Sequence, residues 1–269
     1  MKAQVLLTGL GLGESPRWHD GRLWFANWGT GEIRAVDLDG RDEVVARVET
    51  TVPYSIDWLP DGRMLVVSGQ EGLLLRQEPG GELVTHADLT GFGEVFNEIV
   101  VDRRGNAYVN GGNVVVVTPE GAVREVATDI AWGNGMAITA DGVTLIVAES
   151  HGNRLTAFDI DEQGSLRNRR VWAQLGETHY PDGICLDAEG AVWYADVPNQ
   201  HCVRVREGGA VLETVEVDRG CFACMLGGRN GTTLFIVAAE WHGMERFMDG
   251  MGSGQVLTAE VAVPRAGRP

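Results

Sequence analysis

Apolar residues in this chain fall into short runs separated by polar, glycine-containing turns. Six segments share one form, an apolar strand, a tight polar turn and a second apolar strand: ESPRWHDGRLWFAN, YSIDWLPDGRMLVVS, NEIVVDRRGNAYVN, NGMAITADGVTLIVAE, DGICLDAEGAVWYAD and ACMLGGRNGTTLFIVAAE. Their turn glycines are Gly21, Gly62, Gly105, Gly142, Gly190 and Gly231, spaced 41, 43, 37, 48 and 41 residues apart. An Asp-Gly or related pair supplies the positive φ of a tight hairpin. Two more strand-like runs follow each hairpin, such as GEIRAVDLDG after the first and RLTAFDIDEQGSL after the fourth. A period of about 40 residues holding four short strands is the spacing of a β-propeller blade. No helical periodicity of any length competes with it. The pattern predicts an all-β, six-bladed β-propeller spanning 1–269 as one domain. It also predicts that AQVLLTGL near the start pairs with GQVLTAEVAV near the end, which removes a free sheet edge.

Composition narrows the partners. The chain has 22 Lys and Arg against 38 Asp and Glu, a net charge of −16. Such a surface repels phosphate backbones and anionic lipid, so the expected partner is a small molecule, with no nucleic acid and no membrane. The first residues lack the long apolar run of a secretory signal, and no stretch is long enough to span a bilayer. The expected location is therefore cytoplasmic. Cys221 and Cys224 have C-x-x-C spacing, but no second ligand pair exists to complete a zinc site. With Cys185 and Cys202 they read as reduced core thiols. Trp24, Trp58 and Trp193 are expected to pack between blades, and Asp102/Arg103 and Asp187/Glu189 to lie on solvated turns.

In a propeller the innermost strands line a central channel, so the first residues of these strands share one end of it. Counting back from the turn glycines puts Glu14, Tyr54 or Ser55, Asn97, Asn134, Asp182, and Phe222 or Ala223 at those heads. Glu14, Asn97, Asn134 and Asp182 all offer hard oxygen. Carboxylates brought together in a channel repel, and a divalent cation resolves the repulsion with the oxygen ligands Ca²⁺ and Mg²⁺ prefer. A polar, water-filled channel with Asn and Asp capping turns is the alternative.

The motifs Glu14-Ser-Pro-Arg-Trp18, Phe96-Asn97-Glu98, Asn134-Gly-Met-Ala137 with Asp141-Gly142, and Pro181-Asp182-Gly183 with Asp187 resemble those of the SMP-30/gluconolactonase/LRE-like family, in order and spacing along the whole chain. The resemblance implies one divalent metal in the channel, calcium first, with zinc, manganese or magnesium as alternatives. Carried over by motif, Glu14, Asn134 and Asp182 would ligate the metal, Asp182 would double as general base, and Asn97 would be a fourth polar group that holds substrate, a bound water or the metal. Sugar-lactonase members place arginine two residues before the motif asparagine, where this chain has Val95. The loop after Asn110 is also short. Both departures predict a more apolar or more open pocket.

The reaction this set would run is metal-assisted hydrolysis of a lactone or related small ester, with Asp182 activating water. His179, Trp132 and His242 are further candidates to line the substrate pocket, with Phe222 as an apolar wall. No G-x-S-x-G elbow supports a covalent serine route. Phosphotriesterase-like and strictosidine-synthase-like propellers, and a non-catalytic metal-binding propeller, are the competing classes.

Overall fold

The computed structural model describes residues 2–269. Six antiparallel sheets are arranged as a six-bladed β-propeller. In the first blade the chain runs outward from Leu12–His19 through Arg22–Trp28 and Glu32–Val36 to Asp42–Arg47. The inner strands of the next five blades are Tyr54–Trp58, Ile99–Val101, Gly133–Ile138, Pro181–Asp187 and Gly220–Gly227. Each inner strand touches those of both neighbouring blades, closing a ring.

Closure follows the predicted route. Gln4–Leu10 pairs antiparallel with Gly254–Glu260 and forms the outer strand of the sixth blade. The last residues add a second tie that the strand pattern did not announce. Arg265–Ala266 pairs with Leu186 and Asp187, and Arg268 bridges to Ile138, so the tail crosses from the fifth blade to the fourth.

All six turn glycines have φ between +74° and +88°, the left-handed region that glycine enters without steric cost. The first turn is a two-residue Asp20-Gly21 hairpin, with His19 facing Arg22. In the second, third and fifth blades three residues intervene and in the fourth four, and in all of these the glycine N–H donates back to the carbonyl three residues earlier, as Gly62 does to Leu59.

The core lies between blades. Inner and second strands are almost wholly buried, whereas in outer strands such as Asp42–Arg47 every residue is at least partly exposed. Trp24 of the first blade meets Trp58 of the second edge to face, with ring centroids 5.3 Å apart. Trp193 is fully buried in an apolar cluster that also holds all four cysteines, which are free thiols. Two of the turn acids are not solvated as expected. Asp102 and Asp187 are buried because each accepts backbone N–H groups of its own turn, and Asp187 also pairs with Arg204 at 2.6 Å. Two short 3₁₀ turns, Ser150–Gly152 and Met244–Gly250, are the helical segments, and no helix among the described residues is long and apolar enough to cross a membrane.

Candidate active site

A β-bulge interrupts the inner strand in four blades, between Glu14 and Arg17, Gly133 and Met136, Pro181 and Ile184, and Cys221 and Ala223. Bulges bend a strand and redirect a side chain. In three of the four, the redirected stretch carries Glu14, Asn134 or Asp182. Glycine follows two of these residues for a packing reason. A Cβ on Gly135 would lie 2.6 Å from the Asp182 carbonyl oxygen, and one on Gly183 would lie 2.2 Å from Ala223 Cβ. The inner strands approach too closely there for any larger residue.

Glu14, Asn97, Asn134 and Asp182 all line one cavity of about 1040 Å³ at the head end of the channel. Asn97 Nδ2 donates to Asn134 Oδ1 at 3.2 Å and to the Gly133 carbonyl at 3.3 Å. Asn134 Nδ2 reaches Ser150 Oγ at 3.5 Å, and Ser150 in turn donates to the Pro181 carbonyl at 2.7 Å. Glu14 Oε2 accepts the Ser15 N–H at 3.0 Å. Asp182 is buried, and its Oδ1 has no hydrogen-bond partner.

The electrostatics explain why this arrangement is uncomfortable without a cation. Burial first, and the Glu98 carboxylate second, raise the Glu14 carboxyl to about 8, while the Ser15 N–H and Arg17 pull the other way. Burial, then Glu14, Glu98 and Asp196, push Asp182 well above the usual carboxylate range. Acids buried side by side, one with an unpartnered oxygen, form a donor set that suits a hard divalent cation.

The remaining wall is mostly apolar. Trp28, Phe92, Val95, Trp132, Phe222, Trp241 and Phe247 line it, with Val95 and Trp132 exposed at the mouth. Trp132 is held outward at a φ of +60°.

His179 and His242 are not among the cavity-lining residues. Their chain neighbours Tyr180 and Trp241 line the cavity instead. His179 Nδ1 turns to Tyr194 Oη and Asp196, and His242 sits beside Glu240.

Residues within the quoted motifs do work that the residue types alone did not indicate. Glu98 Oε1 accepts from Arg17 Nη2, Ser15 Oγ and the Ile99 N–H at 3.0, 3.0 and 2.8 Å. The signal was adjacency: Glu98 follows Asn97, and Ser15 and Arg17 follow Glu14. Only folding shows that these neighbours meet across 83 residues. A second cavity, about 650 Å³, opens at the turn end of the channel beside Arg17, Arg103, Arg265 and Arg268. It contains none of the four head residues.

Fold and site together define a six-bladed propeller with a largely apolar pocket at one end of its channel, in which carboxyl and carboxamide groups converge. The chain belongs to the SMP-30/Gluconolactonase/LRE-like family, whose profile matches residues 12–240. It is 25% identical to the 6-deoxy-6-sulfogluconolactonase of Pseudomonas putida over 275 residues, covering 96% of this chain and 94% of that one. It is also 25% identical to a pentonolactonase of Haloferax volcanii, covering 80% and 83%. A calcium-binding regucalcin from Agrobacterium tumefaciens matches in structure with a TM-score of 0.83 at 21% identity, covering 100% of this chain and 97% of that one, a likeness of fold.

Proposed function

We propose that this chain is a lactonase-type hydrolase that opens lactones or related small esters with the help of one divalent metal. The observation that carries the reading is the pairing of Glu14 with Asp182, a buried acid with an unpartnered Oδ1, on the wall of a substrate-sized cavity. The names of its lactonase relatives agree with the reaction class.

Glu14, Asn134 and Asp182 would hold the ion, calcium in the first instance. When bound, the metal supplies Lewis-acid polarisation of an ester carbonyl and acidifies water. The chain's own residues do the rest. Asp182, in its ionised form, would accept the proton of the attacking water and pass it to the leaving alkoxide oxygen, which becomes the product hydroxyl. Asn97 keeps the Asn134 carboxamide oxygen in place by donating to it, and presents its remaining amide capacity to substrate. The apolar wall excludes bulk water, which strengthens every charge interaction inside. Val95 favours a substrate with an apolar face over a polyhydroxylated one.

The test is turnover across a panel of lactones and simple esters. Protein stripped with chelator is expected to be inactive and to recover with a single equivalent of a divalent ion. Asp182→Asn is expected to abolish turnover. Absence of metal-dependent hydrolysis across the panel overturns the reading.

A further inference from the structure

His179 does not line the cavity, yet it has company. With Asp196 and His201 it forms a cluster whose ligand atoms all lie within 4.8 Å of one another. His179 Nδ1 is 3.3 Å and His201 Nε2 is 3.5 Å from Asp196 Oδ2. We propose that His179, Asp196 and His201 form a second divalent-metal site, selective for Zn²⁺, behind the substrate wall.

Geometry argues first. Ligands about 2.0–2.1 Å from a tetrahedral Zn²⁺ stand about 3.3–3.4 Å from each other along each edge. The two His–Asp distances already match that edge. Two imidazoles and one carboxylate are also a donor set that suits zinc, whereas the oxygen set of Glu14, Asn134 and Asp182 suits a harder ion.

Unmet bonding argues next. His201 Nε2 is buried and has no hydrogen-bond partner, and it is one of the three ligand atoms. Asp196 is fully buried, and its Oδ1 is likewise without a partner.

The surroundings complete a metal site's usual frame. Asn199 Nδ2 and the Tyr180 N–H donate to Asp196 Oδ2 at 2.9 and 3.3 Å, orienting the carboxylate. Tyr194 Oη, 2.9 Å from His179 Nδ1, occupies that nitrogen in the absence of an ion and would give it up to one. The histidine side chains are 27% and 18% exposed, which leaves an entry path. The site joins the segment before the fifth inner strand to the two strands that follow it. Tyr180, Val197 and Pro198, adjacent to its ligands, line the substrate cavity. A bound ion would therefore brace that wall without touching the reacting ester.

The experiment uses the full chain carrying Glu14→Gln and Asp182→Asn, which disables the channel site and so separates this proposal from the lactonase reading. After chelation, Zn²⁺ alone is titrated and bound metal is counted after desalting, with Co²⁺ as a spectroscopic substitute. One equivalent of Zn²⁺ should be retained, and Co²⁺ should give the intense visible bands of a four-coordinate site. Adding His179→Ala or His201→Gln should remove that equivalent, weakening binding more than about 100-fold, since outer-shell changes alone cost 10–100-fold. Circular dichroism and thermal melts verify that each variant is folded. A double variant that retains no Zn²⁺, or retention that survives both histidine substitutions, overturns the proposal.

Discussion

Arg17 Nη2 lies 3.0 Å from Glu98 Oε1, a buried ion pair that ties the first blade's inner strand to the head of the third. Both side chains are less than a tenth exposed, so neither charge can turn to water if its partner is lost. Removing one partner of a buried pair costs about 3–5 kcal/mol. Arg17→Ala and Glu98→Ala should each lower stability by that amount in urea denaturation. A cost below about 1 kcal/mol, the level of a surface pair, would contradict the assignment.

The Glu14 carboxyl titrates at about 8 in the folded chain against 4.5 for a free side chain. Between those values the native state holds a proton that the unfolded state has released. This stabilisation is complete below the unfolded value and is lost as pH rises through the folded one. Metal-free protein should therefore melt lower at about pH 8.5 than at about pH 5, by on the order of 5 °C. Glu14→Gln should flatten this slope, as should a saturating divalent ion. An unchanged slope in Glu14→Gln would assign it to other groups.

Gly183 has no room for a methyl group, because its Cβ would lie 2.2 Å from that of Ala223. Gly183→Ala should cost about 1–3 kcal/mol through overpacking. Adding Ala223→Gly should recover part of that loss. Additive losses in the double variant would show that the two positions do not meet as described.

Val95 stands at the mouth of the cavity, 38% exposed. Val95→Arg should improve kcat/KM for polyhydroxylated lactones relative to apolar ones by about tenfold, the equivalent of one charge-assisted hydrogen bond of about 1.4 kcal/mol. Paired assays on one sugar-acid lactone and one alkyl lactone measure the ratio. An unchanged ratio would remove Val95 from substrate selection.

Much of this molecule was legible in its linear order. The six turn glycines gave the blade count and the strand register, because each sits where only a positive φ closes the turn. The same register gathered Glu14, Asn97, Asn134 and Asp182, since repeats bring equivalent positions to one end of the channel. Terminal strand pairing was legible too, from two apolar runs that no complete blade had used.

What the order of residues left open depended on side-chain direction and on distances between blades. His179 and Tyr180 are neighbours at the end of a turn, and only the tyrosine lines the cavity. Asp187 looked like a solvated turn residue until Arg204, on a later strand, came within 2.6 Å of it. Gly135 and Gly183 mark two of the three bulges that aim Glu14, Asn134 and Asp182, but only the convergence of the inner strands shows why glycine is needed there. The same convergence decided that Glu98 would meet Arg17 and that His179, Asp196 and His201 would gather. Periodic sequence determined the scaffold and the heads of its strands; three-dimensional packing alone decided which charges are buried together.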